Sequence, residues 1–107
     1  MSHLSSKKCI PCQGGIPPLK GEALKTLHKQ IDWELVDEHH LTKTFNFPSF
    51  KDSLDFSNRI GALAEEQGHH PLIHINFKQV TLDMWTHKID GLVESDFVFA
   101  AKANLLV

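Results

Sequence analysis

The chain has no long hydrophobic run. Its longest unbroken apolar stretch is Phe97–Ala101, whereas a membrane-spanning helix needs about 20 apolar residues. The opening, Met1-Ser2-His3-Leu4-Ser5-Ser6-Lys7-Lys8, lacks the apolar core of a signal peptide, so a cytoplasmic setting is expected. Cationic charge is not in excess: 11 Lys and Arg stand against 13 Asp and Glu, a formal net charge of −2. The lysines are scattered, and the electrostatic footprint of a nucleic-acid binder is missing. Cysteine is scarce. Cys9 and Cys12 form one Cys-x-x-Cys, but no second pair completes a zinc site and no βαβ unit follows to suggest a redox motif. The HExxH spacing of zinc enzymes is also absent.

What is present is an ordinary globular composition, 41% hydrophobic and 22% charged over 107 residues, the size of one small domain. Histidine is the outlier. There are eight, and four lie between His69 and His87. Histidine is the side chain whose unperturbed pKa lies near physiological pH, so the chemistry is expected in that C-terminal stretch.

Residues 1–18 read as an irregular N-terminal arm, because Gly14-Gly15 and Pro17-Pro18 argue against helix or central strand. Residues 19–107 read as the folded domain. Leu24, Leu27 and Ile31 recur at helical spacing. Trp33 to Glu38 reads as a strand and Leu41 to Phe47 as its hairpin partner, with Glu38-His39-His40 as a solvated turn. Ser49, with Asp52 three residues on, is placed to cap a long helix. Phe50, Leu54, Phe56, Ile60, Leu63 and Ala64 cover about half of its circumference, and Gly68 is its natural stop. Beyond His69-His70-Pro71, Ile73, Ile75 and Phe77 alternate with polar residues, and so do Val80, Leu82 and Met84. A turn at Lys78-Gln79 puts both apolar sets on one face. The other face then carries His74, Asn76, Thr81, Asp83, Trp85 and His87. A last helix is expected over Glu94–Leu105, with Phe97, Ala100, Ala101, Asn104 and Leu105 near one side. The order α-β-β-α-β-β-α predicts an α+β fold, a single four-stranded antiparallel sheet with helices packed on one face.

In that fold the fourth strand ends beside the start of the third, so His87 is expected near His69 and His70. Three imidazoles on one spot have two chemical uses. Some zinc sites use three histidines, but His69 and His70 are adjacent and match no ligand spacing. The other use is proton transfer near neutral pH, one ring donating and another accepting. Elimination of water needs such a pair.

Glu65-x-x-x-His69-His70-Pro71, Phe77, Val80, Thr86-His87, Gly91-Leu92 and Asp96 reproduce without gaps a pattern that resembles the pterin-4a-carbinolamine dehydratases. The resemblance extends upstream through Arg59, Phe47 and Trp33. It includes the arm, Cys9-x-x-Cys12-x-Gly14-Gly15-x-Pro17-Pro18-Leu19, and so covers nearly the whole chain. It implies a dehydratase, with neither metal nor other cofactor, that removes water from 4a-hydroxytetrahydropterin. The product is quinonoid dihydropterin, which links the reaction to recycling after aromatic amino-acid hydroxylation.

Carried over by motif position, the catalytic residues are His69, His70 and His87, supported by Glu65, Asp96, Trp33 and Pro71. His70 and His87 are expected to be the acid/base pair, His69 to bind and orient, and Asp96 to hold His87 in one tautomer. Ile73 stands where the family usually has an aromatic residue, and Phe77 where Tyr is commoner. Trp85 occupies a usually small or polar position, from which its ring can either supply the missing aromatic surface or crowd the site. Lys20 and Val93 stand where the family caps its first and last helices with Ser or Thr, and Ser95 is a substitute cap one turn later. The family also implies assembly into homodimers or homotetramers, with the long helix as the tetramer element. Its mammalian members act in addition as dimerisation cofactors of a homeodomain transcription factor, so an interaction protein with little or no activity is the alternative. A third reading is a metal-binding protein using the cysteine pair and the histidines.

Overall fold

Both hairpins turn through residues that take a left-handed backbone without being glycine. A computed structural model of the chain describes residues 4–9 and 16–107; Cys12 and Gly14-Gly15 lie outside the described residues. The strands are β1 (Glu34–Val36), β2 (His40–Asn46), β3 (Leu72–Asn76) and β4 (Gln79–Met84). They form one antiparallel sheet in the order β1-β2-β4-β3. The first turn is at Asp37 and Glu38, with φ of 53° and 54°, closed by His39 N–H donating to the Val36 carbonyl over 2.9 Å. It lies one residue earlier than expected, and His40 is the first residue of β2.

The second turn is Phe77-Lys78 rather than Lys78-Gln79, because Asn76 pairs with Gln79. Phe77 has φ of 52°, at the position where a type II′ turn takes positive φ. Side chains alternate with a period of two along a strand, so this change, which moves the pairing by two, leaves the residues paired within β3 and β4 on their expected faces. Ile73 therefore opposes Leu82 instead of Met84, and Ile75 opposes Val80 instead of Leu82. Phe77 itself leaves the apolar face and is exposed.

Three helices cover the face formed by Leu41, Phe45, Val80, Leu82 and Met84, all buried. They are α1 (Gly21–His28), α2 (Phe50–Gln67) and α3 (Glu94–Asn104). Among the described residues, no helix is long and apolar enough to cross a membrane. Ser49 caps α2 by accepting the Asp52 N–H at 3.1 Å. Phe56 packs its ring against Phe45 and Phe47, with centroids 4.7 and 5.0 Å away. The apolar stripe of α2 is split: Phe56, Ile60 and Ala64 are buried, but Phe50 and Leu54 face outward.

The last helix differs from its expected one-sided pattern. Val98 and Phe99 are buried as fully as Phe97 and Ala100. A helix enclosed on all sides carries no polar stripe, and here α1, α2 and a 3-10 turn at Leu4–Ser6 all pack on α3. Leu4 is buried, and Lys102 donates from Nζ to the Ser5 carbonyl over 3.0 Å.

The two uncapped helix starts are satisfied differently. At α1, Gly21 N–H donates to Glu38 Oε2 from the first hairpin turn, 3.3 Å away. At α3 the helix begins at Glu94, so Ser95 is inside it and is not its cap. Asp96 instead accepts the Val93 N–H through Oδ2 at 2.9 Å, which also puts negative charge at the positive end of the helix dipole.

Candidate active site

The site begins where α2 ends. Gly68 takes φ of 63° and closes the helix, its N–H bonded to the Ala64 carbonyl. A left-handed residue at this position turns the chain out of the helix axis, so His69-His70-Pro71 leads straight into β3. Leu72 opposes Asp83 in the β3–β4 register. Continuing that register by three residues brings His69 opposite Thr86, and the side chains meet: Thr86 Oγ1 is 3.5 Å from His69 Nε2.

Thr86 donates from Oγ1 to Asp96 Oδ2 at 2.8 Å, which leaves its oxygen to accept from the His69 ring. Asp96 is fully buried. Its other oxygen, Oδ1, lies 2.8 Å from His69 Nε2 but off the line along which a ring N–H points. That contact is therefore one of charge more than of an aligned hydrogen bond. Burial by itself pushes the His69 pKa down. The Asp96 carboxylate beside the ring, with a smaller contribution from Cys9, overcomes it and raises the value from 6.5 to about 9. His69 is thus a cation at neutral pH, set against the fully buried Asp96 side chain.

His70 points the other way, as adjacent residues in extended chain do. Its Nε2 is 2.6 Å from Glu65 Oε2, and both side chains are exposed. Pro71 is half-buried and starts the strand. His87 does not end β4, which stops at Met84. Thr86 pairs with Gly91, and His87–Ile89 forms a 3-10 turn inside that loop. The His87 ring stacks on Trp85 with centroids 4.2 Å apart and planes at 29°. Asp96 does not hold His87, as had been expected; it belongs to His69 and Thr86. The bridge at Thr86 points that hydroxyl toward α3 and leaves His87 exposed.

Trp85 is half-buried on the open face of the sheet, as strand parity requires. Its ring also contacts His39 at 5.3 Å and His40 at 5.9 Å. His39 joins His40 through their Nδ1 atoms at 3.1 Å and reaches Asp90 Oδ1 through Nε2 at 2.7 Å. His74, on the same face, is bonded to Asp83 at 2.9 Å. Trp33 is not brought to the imidazoles. It is buried, and its indole N–H donates to Asn104 Oδ1 at 3.0 Å, at the end of α3 opposite Asp96; eight residues of helix separate these ends by about 12 Å. Asn104 and Lys43 also hold Asp32, whose pKa the Lys43 hydrogen bond lowers despite burial. Among the described residues, no group of three or more His, Cys, Asp and Glu is arranged to hold a metal ion.

Sequence reasoning missed His39, His40 and Asp90, which read as a solvated turn and loop. The missing signal was strand order. Leu41 opposes Met84, so His40 falls opposite Trp85, but only once β2 is known to neighbour β4. It also missed Thr86, a motif position without a role, and the burial of Cys9 against Gln67 and Ser95, which no spacing rule links to residue 9.

Residues 17–106 match the family described as pterin 4 alpha carbinolamine dehydratase. A protein of Rubrobacter xylanophilus that carries the name pterin-4-alpha-carbinolamine dehydratase is 57% identical over 107 residues, covering 99% of this chain and 100% of its own. One of Alkaliphilus metalliredigens with the same name is 47% identical, covering 97% and 96%. Among solved structures, a transcriptional coactivator/pterin dehydratase from Brucella melitensis superposes with a TM-score of 0.78 at 26% identity, covering 83% of this chain and 97% of that one. A pterin dehydratase-like protein described as a RuBisCO assembly factor in the alpha-carboxysome superposes with a TM-score of 0.61 at 27% identity, covering 70% and 88%.

Proposed function

This chain belongs to the pterin-4a-carbinolamine dehydratase family, and on that premise we propose that it removes water from a 4a-hydroxytetrahydropterin by histidine acid/base catalysis. The bond from C4a to its hydroxyl breaks, the hydroxyl leaves as water after taking a proton, and N5 gives up its proton as the C4a–N5 double bond forms. One group must donate and another accept. An imidazole has to be neutral to take a proton. His69, with its pKa raised to about 9, is not neutral at pH 7, and its role is that of a fixed cation that binds and orients. The acid/base pair is then His70 and His87, both exposed. Glu65 orients His70, and Trp85 offers a flat wall beside His87 on which a pterin ring can stack.

The observation that carries this reading is the buried His69–Thr86–Asp96 cluster, which keeps the first imidazole of His69-His70-Pro71 charged while leaving the second in solvent. Turnover of a synthetic 4a-carbinolamine tests it. Catalysed dehydration that persists after exhaustive chelation is expected, since proton transfer between imidazoles needs no Lewis acid. No turnover by the folded protein would reject the reading.

A second reading, an interaction protein, is supported by the two solved relatives, one described as a transcriptional coactivator/pterin dehydratase and the other as a RuBisCO assembly factor. Partner capture without turnover would favour it. For assembly we propose a homodimer or a dimer of dimers. Supporting this are β3, an edge strand with Leu72 and Ile75 exposed, and the outward-facing Phe50 and Leu54 of α2. A monomer mass by light scattering at micromolar concentration would contradict the assembly.

A further inference from the structure

We propose that His39 is a positioning residue for His87. From the turn between β1 and β2 it braces the loop that carries His87 on both sides of that residue, at Trp85 and at Asp90. The inference deepens the dehydratase reading above and rests on it for its catalytic consequence.

The loop gains little rigidity from its own bonds. His87 lies outside β4, in a 3-10 turn closed by the bridge between Thr86 and Gly91. The Thr86 N–H, 2.8 Å from the Gly91 carbonyl, closes the base. The other three bonds are long. Asp90 N–H donates to the His87 carbonyl at 3.2 Å, Ile89 N–H to the Thr86 carbonyl at 3.3 Å, and Gly91 N–H to the same carbonyl at 3.4 Å. These lie at or beyond the long end of the usual range, where the bond is weak. The His87 ring rests on Trp85, with centroids 4.2 Å apart.

His39 reaches both flanks. Its ring lies 5.3 Å from that of Trp85, two residues before His87. Its Nε2 is 2.7 Å from Asp90 Oδ1, three residues after His87. Both ring nitrogens are engaged, which fixes the rotation of the ring. The Asp90 carboxylate only accepts, so His39 Nε2 carries a hydrogen. Nδ1 of the neutral ring is then an acceptor, and it takes the hydrogen of His40 Nδ1 over 3.1 Å. His40 also contacts the Trp85 ring and is paired with Val36 in the sheet.

The brace is itself pinned. His39 N–H donates to the Val36 carbonyl at 2.9 Å, and Glu38 beside it accepts the Gly21 N–H at the start of α1. A fixed position in the sheet is thus passed to the loop, with Asp90 held after His87 and Trp85 kept as the surface on which His87 stacks. The Asp90 side chain is 87% exposed, and exposed ion pairs add little to stability. The effect of His39 is therefore on where His87 stands, not on whether the chain folds.

The test follows two readouts. One is the upfield ring-current shift that Trp85 imposes on the His87 ring protons, read by imidazole NMR with the signal identified by its loss in His87→Gln. The other is kcat and KM for a synthetic 4a-carbinolamine. In His39→Ala the His87 protons should lose most of that shift. The kcat should fall by about 10–100-fold, the scale of displacing a reacting group by about 1 Å, while KM changes much less. Asp90→Gly suits the left-handed backbone at this position and should act in the same direction. The double variant should lose no more than the worse single one, because both break one link. His39→Gln keeps a donor toward Asp90 and should restore much of kcat. If His39→Ala does not fold, His39→Asn, too short to reach Asp90, is read the same way. A folded Ala or Asn variant with an unmoved His87 shift overturns the proposal, since a merely structural contact would change the melting temperature alone. Full additivity of the two kcat losses overturns it as well. The NMR readout needs no pterin. A lost His87 shift in a protein whose wild type has no turnover would reject the dehydratase reading and keep the positioning role, whereas turnover with an unmoved shift would reject only the latter.

Discussion

Thr86 Oγ1 donates to Asp96 Oδ2 across 2.8 Å, with both residues buried. This bond joins the segment after β4 to the first turn of α3, and it fixes the carboxylate that keeps His69 charged. Thr86→Val keeps the shape and removes the donor, leaving Asp96 short of one of its partners. A buried acceptor left unsatisfied costs about 1–3 kcal/mol. The melting temperature should therefore fall by at least several degrees. An unchanged melting temperature would show that the bond is not significant in solution.

Removing the exposed imidazoles should affect chemistry and spare the fold. His70→Ala and His87→Ala should each lower kcat/KM by about 10²–10⁴-fold, the usual worth of a general acid or base, with wild-type circular dichroism. Near-native turnover in both variants would sink the proposed acid/base assignment.

The raised pKa of His69 makes stability depend on pH with a definite sign. The folded value, about 9, exceeds the unbound value of 6.5. A group with a higher pKa in the folded state binds more protons there, so its stabilisation is complete below about pH 6.5 and is lost as pH rises through about 9. Urea unfolding between pH 6 and 10 (spanning both values) should show this decline. Asp96→Asn, which removes the charge facing His69, should flatten it. A decline of the same size in Asp96→Asn would assign the effect to another group.

Gly91 is a packing requirement. A Cβ built there would meet Pro18 Cβ at 2.4 Å, and Leu19 N–H donates to the Leu92 carbonyl at 2.8 Å beside it. Gly91→Ala forces the two segments apart at a cost of about 1–3 kcal/mol, the usual cost of overpacking. Adding Pro18→Gly removes the clashing atom, so the double mutant should lose less than the sum of the single losses. Strict additivity in chemical denaturation would contradict direct contact.

Local patterns were enough to place the elements. The Ser49 cap, the Gly68 stop and the alternation through β3 and β4 depend on side-chain periodicity and on backbone preferences of neighbouring residues, and these operate within a few positions. They also located His69 and His70 at a helix end and Trp85 on the open face. The positive-φ turns at Asp37-Glu38 and Phe77 were not legible, because no glycine or asparagine marks them. There, pairing along the strands outweighs the local preference of the turn.

The sequence by itself determined the family motif, the α+β order and which side of each strand is apolar, because these follow from residue type and spacing. Only the tertiary structure decided which partner each titratable group received. Asp96 took His69 rather than His87 because the Thr86–Gly91 bridge turns the chain just before His87. Cys9 reached Gln67 and Ser95, far along the chain, because the arm packs against the end of α2 and the start of α3. His39 and His40 joined Trp85 because β2, not β3 alone, flanks β4. Charge and hydrogen bonding act over a few ångströms of space, and neighbours at that distance are set by how the layers pack, not by order along the chain.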